Sequence, residues 1–228
     1  RLSFIKAIQR PRITMAVKGP GMKIAICQIN PIIGDFDHNT ALIREAVNRA
    51  RSSGCSLAIF PEMSLMGYPP KDLLLKPRFV TENLKRLEEL SAEAHGTAIL
   101  CGYGDRKPNE TGKPLINSAA LLVEGRLAGK GGKRLLPTYD VYDETRYFEP
   151  SPRSLVFELG GIRWGVTVCE DIWNAIDFPE VPRYDVDPVA DLAAARIQVL
   201  VNISASPYNL DKGAVRLGIL KQIAGKYD

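Results

Sequence analysis

Histidine is scarce in this chain: only His38 and His95 occur among 228 residues. Both sit in segments with helical patterning and far from any cysteine motif, so a Cys-His or Ser-His hydrolytic pair has few candidates for its base. The four cysteines, Cys27, Cys55, Cys101 and Cys169, are widely spaced and form no CxxC or Cys/His cluster. That argues against a structural zinc site, and no metal is expected. Long apolar runs are also missing, with nothing near the roughly 18 to 20 residues of a membrane-spanning helix. Lys6, Arg10 and Arg12 interrupt every apolar window of the N-terminal segment, so no secretory h-region is legible. Free thiols in a reducing cytoplasm, with no membrane partner, are the reading that follows. The phosphate-loop patterns GxxxxGK(S/T) and GxGxxG are absent, so Gly131-Gly132-Lys133 is not read as a nucleotide cradle.

Acidic residues are missing before Asp35, whereas Arg1, Lys6, Arg10, Arg12, Lys18 and Lys23 precede it. Removing those six charges from the total of +4 leaves −2 for the remainder. The body is near neutral and offers no electrostatic footprint for a nucleic acid. Residues 1 to 21 end in Gly19-Pro20-Gly21 and read as a flexible or appended extension, in preference to a transit-like peptide or an ordered arm. The fold is sought in residues 22 to 228, a single domain.

There, apolar β-rich runs alternate with amphipathic stretches. KIAICQIN (23 to 30) and SLAIFP (56 to 61) read as buried strands, and 38 to 53 as a helix with Leu42, Ile43, Ala46, Val47 and Ala50 on one face. A further helix is expected over 79 to 95. Strands are expected over 97 to 104, 116 to 123 and 125 to 131, the last two joined at Glu124-Gly125. Segments 154 to 158 and 161 to 168 form a hairpin around Gly160-Gly161. Helical segments at 187 to 195 and 211 to 226 flank a buried strand at 198 to 204. The pattern implies an α/β sandwich with helices on the outer faces of its sheets. Two long loops, 62 to 77 and 131 to 152, carry aromatics, prolines and charges, which points to chemistry at their edges.

Three polar residues stand at such edges. Glu62 follows Leu57-Ala58-Ile59-Phe60-Pro61, where apolar surroundings suit a working base, although a salt-bridged carboxylate fits equally well. Cys169 ends the strand Trp164-Gly165-Val166-Thr167-Val168 and precedes Glu170-Asp171. A lone buried cysteine is ordinarily inert filling, so reactivity here requires a neighbouring base or cation. Lys133 follows two glycines, and most loop lysines are simply solvated.

Taken together, FPEMSLMGY (60 to 68), KRLLP (133 to 137) with YDVYDETRYFEP (139 to 150), and VCEDIW (168 to 173) resemble the nitrilase, or carbon-nitrogen hydrolase, superfamily. GYPPKDLLLKPRF (67 to 79) and NISASPY (202 to 208) narrow the resemblance to the glutaminase domain of glutamine-dependent NAD synthetases. The resemblance implies a four-layer α-β-β-α sandwich lacking its last C-terminal strands. It implies glutamine amide hydrolysis through a Cys169 thioester, with Glu62 as base, Lys133 as oxyanion stabiliser and Glu144 in support. Tyr68, Tyr139, Tyr142, Glu170, Ser204, Ser206 and Lys212 match glutamine-lining positions. It further implies a synthetase-domain partner, homo-oligomers and no cofactor for this domain; ATP and Mg would belong to a synthetase domain, whose SGGxDS motif this chain does not contain. A hydrolase of another small amide and a silent assembly fragment are the alternatives.

Overall fold

The computed structural model describes residues 21–108, 111–175, 184–207, 210 and 212–227, so the basic extension lies outside the described residues but for its last glycine. Two sheets stack at the centre of the molecule. The larger has strand order β1 (Ile24–Ile26), β2 (Leu57–Ile59), β3 (Ala98–Arg106), β4 (Leu115–Val123) and β5 (Arg126–Gly132). Its first three strands run parallel and the last two pairings are antiparallel. The smaller has the order β6 (Leu155–Leu159), β7 (Ile162–Val168) and β8 (Val199–Ile203), with β6–β7 antiparallel and β7–β8 parallel.

Strand alternation divides the apolar residues between two interfaces. Leu57, Leu100, Leu121 and Val123 point inward to meet Leu155, Phe157, Trp164 and Val166 of the second sheet. The Phe157 and Trp164 rings stack there at 6.0 Å. The opposite faces of the same strands, Ala58, Ile99, Cys101, Ala120 and Leu122, receive Ile43, Val47 and Ala50 of helix α1 (Phe36–Ser52) and Leu87 and Leu90 of α2 (Pro77–Glu93). Strands apolar on both faces belong between two covering layers. On the far side, α3 (Pro188–Ala194) and α4 (Lys212–Lys226) supply Val189, Ile219 and Ile223 to a cluster with Ile172. The four-layer α-β-β-α order expected from the sequence is present.

Helix boundaries follow local chemistry. Asp35 caps α1 by accepting from the His38 N–H, and α2 begins on Pro77, where a missing N–H costs nothing. The Glu124-Gly125 turn joins β4 to β5 with both residues at positive φ, +46° and +77°, the geometry of a tight hairpin.

Three expectations need correction. The first strand is three residues long instead of eight, and Ile26 is 85% exposed. It lies at the edge of the five-stranded sheet among the described residues. Likewise β8 is half-buried over most of its length because it too is an edge. His95 stands past the end of α2, in the turn that leads to β3.

Candidate active site

Four ends of structure converge on one buried cluster. Glu62 stands three residues beyond β2, in a loop that lies directly on β3. That approach depends on Gly102, where a Cβ would sit 2.3 Å from the Met63 nitrogen and 2.6 Å from the Glu62 Cα. Lys133 follows β5 and is held by backbone pairing on both sides: its N–H donates to the Asn117 carbonyl at 2.7 Å, and its carbonyl accepts from Ser151 at 2.8 Å. Glu144 opens a short 3-10 turn, Glu144–Arg146, in the second long loop.

These three side chains are almost fully enclosed. The Lys133 ammonium donates to Glu144 Oε1 at 2.6 Å and to Glu62 Oε1 at 3.1 Å. Two of its three N–H donors are thereby used, and one is left for a reacting group. Asn117 Nδ2 donates to Glu62 Oε1 at 2.7 Å and reaches Glu144 Oε2 at 3.4 Å. Tyr68 donates its hydroxyl to Glu144 Oε1 at 2.8 Å. The Ala205 N–H, just beyond β8, donates to Glu62 Oε2 at 2.9 Å. Both carboxylates are thus fixed by donors from separate elements.

The charges sort themselves accordingly. Burial works against the Lys133 ammonium, yet Glu62, Cys169 and Glu144 together hold it well above its ordinary range. Burial pushes Glu144 up, against the pull of Lys133. A buried ammonium between two carboxylates is stable only as a set, since removing one partner leaves an unpaired charge out of water.

Cys169 follows β7 at φ +46°, a left-handed turn unusual for a residue with a side chain. The turn places the thiol at the strand end, 5% exposed, in the field of Glu62 and Lys133. Burial first, then Glu62, pushes the thiol up to about 12, while Lys133 and a hydrogen bond with Ser204 act the other way. Asp171 secures the same turn. It accepts from the Val168 N–H at 2.9 Å and from the Arg134 and Leu135 N–H groups at 2.8 and 2.9 Å, tying the cysteine elbow to the segment after Lys133. Burial outweighs those three bonds and raises Asp171 to about 6.

The remaining expected residues fall into two groups around this centre. Tyr139 and Tyr184 donate to Glu170 Oε1 at 2.8 and 3.0 Å. The Tyr142 hydroxyl lies 3.3 Å from Ser206 Oγ, and its ring meets that of Tyr139 edge to face. A cleft of about 370 Å³ opens beside them, lined in part by Tyr68, Val141, Tyr142, Glu144 and Arg146. Lys212 begins α4, but among the described residues no hydrogen bond or ion pair ties it to the cluster. Asn117, Asp171 and Tyr184 are not singled out by sequence reading. For Asn117 a signal exists, since it is a lone amide within the apolar run of β4.

Such a constellation can take a proton from a thiol, attack a planar carbonyl carbon and stabilise the resulting oxyanion. Residues 23–222 match the carbon-nitrogen hydrolase family. The chain is 36% identical over 209 residues to the glutamine-dependent NAD(+) synthetase of Thermotoga maritima, covering 90% of this chain and 34% of that protein. It spans about a third of the length of the curated relatives it matches. Among solved structures, glutamine-dependent NAD+ synthetase from Acinetobacter baumannii aligns over 90% of this chain and 36% of its own, with 34% identity and a TM-score of 0.80. An amidase from Nesterenkonia sp. aligns over 94% of this chain and 75% of its own at 24% identity and a TM-score of 0.72, a likeness of fold.

Proposed function

The chain belongs to the carbon-nitrogen hydrolase family, and from that premise we propose that it hydrolyses the side-chain amide of glutamine. The observation that carries the reading is the enclosed Glu62–Lys133–Glu144 set facing the thiol at the end of β7. Glu62 takes the Cys169 proton as sulfur attacks the amide carbon. The tetrahedral oxyanion is met by the free N–H of Lys133 and the backbone N–H after Cys169. When the intermediate collapses, the carbon–nitrogen bond breaks and the proton held by Glu62 leaves with ammonia, giving a thioester. Water, deprotonated by Glu62, then attacks; the carbon–sulfur bond breaks, the proton passes from Glu62 to sulfur, and glutamate is released from the restored thiol. Glu144 keeps Lys133 charged and in place.

Substrate choice follows from charge. An α-ammonium suits the Glu170 carboxylate, whose orientation Tyr139 and Tyr184 fix. Tyr142, Ser204 and Ser206 offer hydroxyls around the same end, and Lys212 supplies a cation for an α-carboxylate. The relatives are named as glutamine-dependent NAD synthetases, and the match covers only about a third of their length, which supports ammonia delivery to a synthetase domain as the biological use. Further copies of the chain are the other expected partner. The residues described need no cofactor for the amide step.

The test is ammonia release from glutamine, asparagine and acetamide by the parent chain and by Cys169→Ala. Glutamine is expected to be preferred, and the variant to lose at least about 10³-fold in rate. Release at the parent rate by Cys169→Ala would refute the reading, and equal turnover of the three amides would replace glutamine with a general small-amide substrate.

A further inference from the structure

Arg216 lies on α4, four residues after Lys212, and has no part in the chemistry above. Its guanidinium nevertheless reaches the end of β8 with two prongs. One nitrogen donates to Ser204 Oγ at 2.9 Å and the other to Asn202 Oδ1 at 3.0 Å. Each of those side chains in turn holds the nucleophile. Asn202 Nδ2 donates to the Cys169 carbonyl at 3.3 Å and to Thr167 Oγ1 at 3.1 Å. The Ser204 side chain also lies beside the Cys169 thiol and favours its ionised form.

Arginine has five donors, no acceptor and a permanent charge, so it dictates direction wherever it bonds. An amide whose oxygen is occupied by Arg216 must turn its N–H₂ toward Cys169. A hydroxyl that accepts from Arg216 keeps its own proton for the sulfur. A donor to sulfur favours the thiolate, the form that attacks. Holding the Cys169 carbonyl also steadies a residue whose φ of +46° an L side chain resists.

On the function proposed above, we infer that Arg216 is a positioning residue for the nucleophile: through Asn202 it holds the left-handed turn at Cys169, and through Ser204 it orients the hydroxyl beside the sulfur. Arg216 touches neither substrate nor the reacting atoms. Its two partners are neutral, so the contact is not a surface ion pair of the kind that contributes little.

The experiment is the pH profile of Cys169 alkylation by iodoacetamide, read by peptide mass spectrometry on the full chain, with Cys27 as internal reference. Glu62, Lys133, Glu144 and Tyr142 also face the thiol and stay unchanged throughout. Arg216→Met keeps the stem and removes the donors. It is expected to slow Cys169 alkylation at least tenfold and to move its onset to higher pH, with Cys27 unaffected. Where ammonia release is measured, kcat should fall by about 10²-fold with KM within about twofold. Combining it with Ser204→Ala should cost less than the product of the two single losses. An unshifted profile, losses that multiply, or a rise in KM alone would overturn the inference. Should Arg216→Met fail to fold, Arg216→Lys carries the test: one prong retained predicts an intermediate profile, and a parental profile would overturn the two-pronged role. Alkylation is read independently of glutamine turnover, so a chain that does not hydrolyse glutamine defeats the functional reading and leaves this one standing or falling by its own result.

Discussion

Burial and the nearby Glu62 carboxylate keep the Cys169 proton on sulfur at neutral pH, since both favour the uncharged thiol and together lift it to about 12. Attack therefore requires proton transfer in the same step instead of a resting thiolate. Two measurements check this. Alkylation of Cys169 should keep rising from pH 8 toward 11, where an ordinary exposed thiol levels off above about 9. Glu62→Gln removes a negative neighbour, so the alkylation profile should move to lower pH while ammonia release falls by about 10² to 10⁴-fold. A profile that stays in place, or hydrolysis that survives, would mean that Glu62 is not the base. The sign for stability is equally definite. The folded thiol holds its proton to higher pH than the unfolded one, so its contribution is complete below pH 9 and is lost as pH rises toward 12.

At the scale of elements, the loop carrying Glu62 owes its position to a residue without a side chain. A Cβ on Gly102 would collide with main-chain atoms of residues 62 and 63, which cannot yield as a flexible side chain could. Gly102→Ala is expected to cost about 1–3 kcal/mol by denaturant unfolding and about 10²-fold in ammonia release through displacement of the carboxylate. Gly218→Ala is the control: it lies in α4 with open space around it and should stabilise by up to about 1 kcal/mol. If the two variants behave alike, the close approach at Gly102 has no special role. This scale is also where sequence and structure agree best. The helix α2 and strands β4 and β7 are legible to within two residues because periodic apolar positions and the flanking Pro77, Gly125 and Gly161 carry their own local physics. Glu62, Lys133 and Cys169 are legible through the resemblance their three motifs carry, since by local pattern alone a salt-bridged carboxylate, a solvated loop lysine and an inert buried cysteine fit as well. Asp171, Tyr184 and Arg216 are not, because their roles arise from contacts with the turn after Lys133, with Glu170 and with β8 that no local pattern encodes. The edge character of β1 escapes for the same reason: KIAICQIN looks like a buried strand until its place in the strand order is known.

Across the whole molecule, β1 is an edge of the five-stranded sheet among the described residues, and Ile24 and Ile26 on it are 37% and 85% exposed. An apolar, hydrogen-bond-hungry edge invites association with another chain. Ile26→Lys should therefore leave the melting temperature within about 2 °C, since an 85% exposed side chain supports little core, and should lower the average mass measured by light scattering at high concentration. An unchanged mass distribution would show that contacts between chains lie elsewhere. Among the described residues no helix is long and apolar enough to cross a membrane.

The bond from the Ala205 N–H to Glu62 spans 143 positions of chain, and it has a meaning for synthesis. A polypeptide emerging from the ribosome presents residue 62 long before 205, with 117, 133, 144 and 169 arriving between. Until the last of them docks, the carboxylate lacks one of its three anchors, and the cysteine lacks the serine and asparagine that steady it. The arrangement is thereby deferred until residues 202 to 216 have emerged, so a chain cut short of them carries a cysteine without these supports.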